Sequence, residues 1–450
     1  MTCRSFTPHG SPTTRPVTTA WRRSLRPTGP DTPSAATIDR PTARLTRLTD
    51  GANGRWPVLM TLARIFNVEG IPYAFTFAIM QGLLIFALAL PFTVIPLVTL
   101  DTVGDAQQVS LMFLVVSVFS LAAALLLPKV FDLWGRVNVT LGGTVMVVVA
   151  AFLFPTGDVT ALYIATVLYT VGFFAMEITL NIAIMDNIAR QSFARFEGLR
   201  MSCLGLGFTI GPWLGVVIWT ELGLILPFVI MALLTVWVCM VLLRRRLVVN
   251  RKVAGMGHAN PLRFIPRFLE QPRLLLAYVL SIFRSSWWNI FFIFGPIYCV
   301  ESGYSDEEAG MIVSLGAAAV VLAPLWGRMG GPLGMRRHLF LGYLATAITA
   351  FVMTAVSGVP LAGVIMLLVA CFCASWLDAV GNAPFARAVR PHERAEMTSL
   401  YTTYRDVGRV VPQSIFTVIL LVLPLSSVFA VTGLGMLGGA WFSRHIPKRY

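Results

Sequence analysis

The sequence predicts an all-α, polytopic membrane protein with twelve transmembrane helices. Three observations predict it: an apolar composition, a run of span-length apolar stretches, and a regular alternation of charge in the loops between them. Of 450 residues, 56% are hydrophobic and 12% are charged, and mean hydropathy is +0.75. Soluble domains carry about 25% charged residues, which excludes a soluble fold. The formal net charge is +14, from 35 Lys and Arg against 21 Asp and Glu. In a soluble chain that excess points to nucleic acid. In a membrane chain it reports topology, because basic residues collect on cytoplasmic loops. The expected partner is therefore the lipid bilayer and not nucleic acid.

The twelve apolar stretches lie near 73–98, 108–127, 138–155, 159–186, 198–219, 223–243, 274–299, 308–329, 338–357, 360–385, 397–421 and 425–442. Each is close to the ~20 residues that cross a bilayer as a helix. Alternate loops must face opposite sides. One set (PKVFDLWGRVN, NIARQSFARFEGLR, 244–273, GRMGGPLGMRRH, FARAVRPHERAE) is basic throughout, whereas the other (LDTVGDAQQ, PTGDV, TELGL, VESGYSDEE, SGV, VLPLSS) contains no Lys or Arg. A wrong span count would scramble this pattern. It places both termini in the cytoplasm of a multi-pass protein of the cell inner membrane.

The longest basic loop, 244–273, follows the sixth span and divides the chain into an amino-terminal set of helices, 61–243, and a carboxy-terminal set, 274–443, with a short tail at 444–450. As a tether it needs only positive-inside charge. Its composition also suits a partly helical segment on anionic headgroups. An internal repeat relates the two sets. Glu177 and Asn181 read ExxxN in the fourth span, and Asp378 and Asn382 read DxxxN in the tenth, both at an offset of 201 that also carries Gly207 onto Gly408. Two pseudo-symmetric six-helix bundles follow. Residues 1–60 are rich in Arg, Pro, Thr and Ser and cannot bury a core, so a disordered basic tail is expected. A transit peptide and an over-extended start, with Met60 as one candidate true start, are both open readings. No secretory signal is expected, because the N-terminus lacks an apolar h-region.

Enzymatic chemistry finds little in the sequence. Cys203, Cys239, Cys371 and Cys373 fall in apolar spans, without zinc-like spacing, and read as free core residues. The five His are expected in tails or cytoplasmic loops. No HxxxH pair and no phosphate-cradling glycine loop occurs. No metal and no cofactor is expected, and neither is an ATP-driven pump.

Two motifs carry a resemblance to a known family. The loop after the second span, PKVFDLWGRV, resembles the signature of the major facilitator superfamily. Asp132, Gly135 and Arg136 match, while Pro128 replaces the leading Gly. After the eighth span, Gly327, Gly334 and Arg336 form a degraded second copy, with Gly331 where an Asp is expected. The resemblance implies a cytoplasmic gate in which Asp132 and Arg136 latch the outward-facing state. In the fifth span, Gly198, Gly207, Gly211, Pro212 and Gly215 are similar to the motif of the family's proton-linked exporters. Gly207, Gly211 and Gly215 recur every four residues and leave a bare stripe for close helix packing, and Pro212 removes a backbone bond. One departure stands out. Those exporters carry an Arg four residues before a Gly in the fourth span, but Gly172 here follows Leu168. Their proton-handling scheme therefore does not transfer, and Glu177 is the nearest intramembrane acid.

Charge inside the spans marks the candidate site. A charged side chain at mid-bilayer costs about 2.5–3.5 kcal/mol on insertion scales, so each needs a partner or a wet cavity. The stretch Tyr401 to Gln413 holds Arg405, Asp406 and Arg409, and FRSSWWNIFF in the seventh span holds Arg284, Trp288 and Asn289. Gln81 is a lone amide in the first span. Arg405 and Arg409, four apart, project from one helix face. Arg284, Arg405 and Arg409 can be balanced by Glu177, Asp378 and Asp406. Fixed ion pairs that merely hold helices together are one reading; a central polar cavity between the two bundles is the other. In the second, Gln81, Arg284, Trp288, Asn289, Arg405 and Arg409 bind a small-molecule substrate. Glu177, Asp378 and Asp406 then exchange protons, as buried carboxyls can. The expected function is alternating-access transport by a monomer, with proton-coupled export of a small organic solute first. Uptake or exchange of an anionic metabolite gripped by Arg is the alternative, and a non-transporting sensor or scaffold is a remote third.

Overall fold

The described part of this computed structural model comprises Val68, Ile71 and residues 73–189, 192–248, 265–390 and 394–447. The tail at 1–60 and most of the linker lie outside it. The described residues are helical throughout, with no strand among them. The first crossing bends between α1 (Ala74–Ala89) and α2 (Val94–Val103), next to Pro91. α3 (Ala106–Leu153) holds the second and third crossings, divided at Gly135, whose φ of 77° and ψ of 159° turn the chain back. α4 (Val159–Asn187), α5 (Phe193–Leu222) and α6 (Ile225–Arg244) complete the first bundle. In the linker, α7 (Ile265–Leu269) is a short helix.

The second bundle repeats this plan with more interruptions. α8 (Pro272–Glu301) is followed by α9 (Asp306–Ala318), which passes through a 3-10 turn into α10 (Ala323–Leu333). Gly334 then adopts φ 73° and ψ 148°, nearly the angles of Gly135 at the matching point of the first bundle. A Cβ is disfavoured at positive φ, so glycine suits both turns. α11 (Met335–Ala355), α12 (Pro360–Val380), α13 (Ala383–Ala388), α14 (Arg394–Tyr401), α15 (Tyr404–Ile419) and α16 (Ser427–Ser443) follow.

Ten stretches among the described residues are long and apolar enough to span. α16, with 17 residues, is a shorter apolar helix at the expected twelfth span, and α15, with 16, lies at the expected eleventh. Two spans differ from the expectation in having breaks. The tenth, expected as 360–385, stops at Gly381 (φ 51°), and Pro384 in the first turn of α13 cannot donate to the preceding turn. The eleventh, expected as 397–421, is interrupted at Thr402 and Thr403. There the Thr403 hydroxyl bonds the Leu400 carbonyl (2.7 Å) and the Tyr278 hydroxyl (2.8 Å), a side-chain competitor for the helix ladder. His338, expected in a loop, is instead fully buried one turn inside α11. Its Nε2 is 2.9 Å from the Trp376 carbonyl.

The arginine-free loops cap the helices that follow them. Asp105 accepts from the Gln107 amide (3.2 Å) and Asp158 from the Ala161 amide (2.8 Å). Ser305 and Glu308 form a reciprocal capping box. Such caps satisfy orphan N–H groups and place negative charge at the positive helix end. The acidity of one set of loops is thus also a set of helix starts.

One buried core gathers side chains from Val68 to Val248, and a second gathers 280–446 together with Ala106 and Val109. In lipid, association depends on close packing more than on the hydrophobic effect. A close backbone approach is that of α1 on α5. A Cβ at Gly207 would meet the Phe86 amide nitrogen and the Gly82 carbonyl, one at Gly211 would meet Ala89, and one at Gly215 would overlap the Leu90 carbonyl. Pro212 lies inside α5, buried, and Gly198 is exposed at its basic end.

Candidate functional site

The site is built where α8, α12 and α15 meet. Arg284 and Trp288 are one turn apart on α8 and so share a face. Both reach the same carboxylate. The Arg284 guanidinium donates to Asp378 Oδ1 (3.0 Å) and the Trp288 indole to Asp378 Oδ2 (2.9 Å). Asp378 sits in the last turn of α12, just before the break at Gly381. That break lets Asn382 swing back, so its Oδ1 accepts from Arg284 (3.2 Å) and from the Tyr401 hydroxyl (3.2 Å). Arg284 also donates to the Tyr404 hydroxyl (3.4 Å) and lies 5.8 Å from that ring's centre. The Arg284 and Asp378 side chains retain 14% and 17% of their exposure. The pair is therefore sheltered but not sealed.

A second polar node joins the two bundles. On α15, Asp406, Arg409, Gln413 and Thr417 recur at three- and four-residue spacing, which makes one face polar, and this face meets α3. Ser120 donates to Asp406 Oδ1 (3.2 Å) and accepts from Arg409 (3.4 Å), and Arg409 also donates to Asn289 Oδ1 (3.2 Å). Farther out, Ser110 donates to Gln413 Oε1 (3.0 Å) and Gln107 to the Thr417 carbonyl (3.4 Å). α5 meets α9 in the same way. The Trp213 amide donates to Ser314 Oγ (2.9 Å) and Thr220 to Glu307 Oε1 (2.7 Å). Phe92, Phe208 and Phe292 close the middle at 4.9–6.2 Å between centres, Phe92 edge-on to the other two rings. These bonds run from mid-membrane to the arginine-free end. Toward the basic end, Arg405, Asn382 and Met185 are exposed.

The six expected charges do not all pair. Arg284 pairs with Asp378, and Arg409 and Asp406 share Ser120. Among the described residues Arg405 bonds only the Tyr404 hydroxyl (3.4 Å), with its guanidinium carbon 5.9 Å from that ring's centre. Glu177, half-buried on α4, has no bonded partner among the described residues but lies within electrostatic reach of Arg405. Gln81 lies apart, fully buried, with neither amide atom hydrogen-bonded among the described residues.

At the basic end, Arg136 forms an ion pair with Asp186, at 2.5 Å, at the end of α4. Asp132 is exposed, as is Gly327, which has open space around it. Arg336 lies just inside α11, past Gly334.

Several contributors escape a charge-based search. Ser120, Tyr401 and Tyr404 are uncharged and resemble ordinary span residues. Asp186 is the last residue of the expected fourth span, and the Glu197–Arg200 pair (2.5 Å) lies at the end of the basic loop NIARQSFARFEGLR. The internal repeat held one signal. Arg200 donates to Asn181 Oδ1 at 3.2 Å, and the offset of 201 that maps Asn181 onto Asn382 also maps Arg200 onto Tyr401, Asn382's own donor.

Comparison with known proteins agrees with this architecture. Residues 77–412 match the model of the Major Facilitator Superfamily. The chain is 22% identical over 295 residues to multidrug resistance protein 2 of Bacillus subtilis (strain 168), covering 62% of this chain and 71% of that one. Among solved structures, the nucleoside transporter NupG superposes with a TM-score of 0.64 at 13% identity, covering 82% of this chain and 98% of that one. A POT family transporter in complex with 5-aminolevulinic acid gives 0.63 at 10% identity, covering 81% and 94%.

Proposed function

We propose that this chain, which belongs to the Major Facilitator Superfamily, is a secondary active transporter that exports a small organic solute by alternating access, coupled to protons. The observation that carries the reading is the placement of the Arg284–Asp378–Trp288 cluster. It lies at a helix break, beside exposed Arg405, below a seam closed toward the arginine-free loops. This arrangement suits a cavity open to the cytoplasm, with both termini on that side of the cell inner membrane and each copy working as a monomer.

In this reading Asp378 is the proton site. A proton on Oδ1 removes the acceptor of the Arg284 guanidinium, and Arg284 turns to the cavity. Loss of the proton restores the pair. Arg284 and Arg405 grip an anionic or polar group of the guest, Trp288 stacks on its apolar part, and Glu177 faces its cationic part. Ser120 is the hinge of the seam, because its bonds to Asp406 and Arg409 must break as the bundles rock. Arg136, tied to Asp186, and Asp132 beside it form the cytoplasmic gate. The similarity to a multidrug resistance protein supports export.

The second reading is uptake or exchange of an anionic metabolite. It is favoured by Arg405, whose charge no bonded carboxylate offsets among the described residues. Proteoliposomes of known orientation with an imposed pH gradient, tested with cationic dyes, nucleosides and small carboxylates, separate the two. Export predicts gradient-driven movement of a dye or nucleoside away from the basic-loop side. Accumulation of a carboxylate toward that side, indifferent to pH, overturns proton-coupled export.

A further inference from the structure

A second basic site lies outside the charged cluster, at the basic-loop end of the second bundle. A cavity of about 540 Å³ opens between the start of α11 and the end of α16. Leu333, Met335 and Phe340 supply its apolar wall, and Arg336, Arg337 and Arg444 its charge. Arg336 and Arg337 stand four and three residues before Phe340, so the three share one face of α11. Arg444 comes from α16, and its guanidinium carbon lies 4.8 Å from the Phe340 ring centre. A guanidinium held over a ring face still has N–H groups to donate. None of the three arginines forms an ion pair with a carboxylate among the described residues. Gly334 precedes α11 with no side chain to cap it, so the positive end of that helix adds to the field. Trp441, 56% exposed on α16 one turn before Arg444, sets the pocket at the level where tryptophans border headgroups.

Three uncompensated guanidinium groups from two helices, around a cavity of ligand size, match the planar, multidentate recognition of phosphate. We propose that this pocket binds a phosphate group, carried by an anionic lipid headgroup of the cytoplasmic leaflet or free as inorganic phosphate. A phosphate there would tie the α10–α11 turn to the end of α16.

The test uses the purified full chain, delipidated in neutral detergent. Native mass spectrometry and thermal unfolding are followed while phosphatidylglycerol, phosphatidylcholine or inorganic phosphate is added. Wild type should retain phosphatidylglycerol in preference to phosphatidylcholine and gain thermal stability from it. Each Arg→Gln change at Arg336 or Arg444 should weaken binding about fivefold, the effect of one basic side chain at an anionic surface. Arg336→Lys keeps the charge but not the planar fork, so it should bind between Arg336→Gln and wild type and guard against a folding defect, and Arg245→Gln, on exposed basic surface elsewhere, should leave binding unchanged. Displacement of lipid by millimolar inorganic phosphate, or binding of phosphate alone, assigns the free ion as the source; retention of lipid alone assigns the headgroup. Equal binding of phosphatidylcholine, or an Arg336→Gln/Arg444→Gln variant that binds as wild type does, overturns the proposal.

Discussion

Asn181 in the first bundle and Asn382 in the second occupy equivalent places, yet their surroundings differ. Asn181 accepts from Arg200, which is held by Glu197 on the same helix, three residues away. Its own helix, α4, runs unbroken, and Leu180 beside it is fully buried. Asn382 accepts from Tyr401 and from Arg284 on another helix, and α12 is broken at Gly381, the position equivalent to Leu180. The same scaffold therefore holds a local, same-helix pair in one half and a cluster drawn from several helices in the other. What differs is where the arginine comes from and whether the acid-bearing helix is continuous. A long-range pair at a broken helix can change partners without unwinding the bundle, whereas a same-helix pair has little to exchange with.

The largest effect that could break this comparison is at Arg284. Arg284→Gln leaves Asp378 sheltered without its cation, and removing one partner of a buried pair costs about 3–5 kcal/mol. Thermal unfolding in detergent should show a loss of that order. The double variant Arg284→Gln/Asp378→Asn should recover much of it. A single variant as stable as wild type would mean that water already screens the pair. Next is the helix stripe. Gly215→Ala drives a methyl into a rigid backbone carbonyl and should cost about 1–3 kcal/mol. Gly363→Ala meets only the Tyr298 side chain, hydroxyl end first, which is more movable than backbone, and should cost less. The reverse order would show that α1, not Tyr298, is the part that gives way. Smaller again is the first bundle's own pair. Arg200→Gln removes a partly exposed ion pair three residues apart and should change stability by under about 1 kcal/mol. Last, Asp132→Ala should slow turnover in proteoliposomes without changing stability or selectivity. A change in which solutes compete would place Asp132 at the site and not at the gate.

How much of this was legible in the sequence depends on cost. The crossings were legible because lipid forbids unpaired backbone and penalises charge, so hydropathy and loop charge carry the topology together. Arg284, Asp378 and Arg409 stood out for the same reason. What could not be read was who pairs with whom. Asp406 is next to Arg405 in sequence, yet it bonds Ser120 across the seam, and Arg405 is left to Tyr404. Hydroxyls such as Ser120, Tyr401 and Tyr404 are inexpensive in a span and give no signal. His338 counted as a loop residue because it borders a basic run, but it packs against Trp376 inside α11. The breaks at Gly381 and Thr403 escaped because the residues on both sides remain apolar, and only the local backbone bonds distinguish them.

The account stands on Asp378 being the group that couples proton to cargo. The direct measurement compares wild type with Asp378→Asn in oriented proteoliposomes, using a solute that wild type moves. Exchange of labelled for unlabelled solute is followed without a gradient, and net movement with one. The account predicts that exchange survives, since Asn can still accept from Arg284, while gradient-driven movement is lost. Net movement that still follows the pH gradient in Asp378→Asn would contradict it.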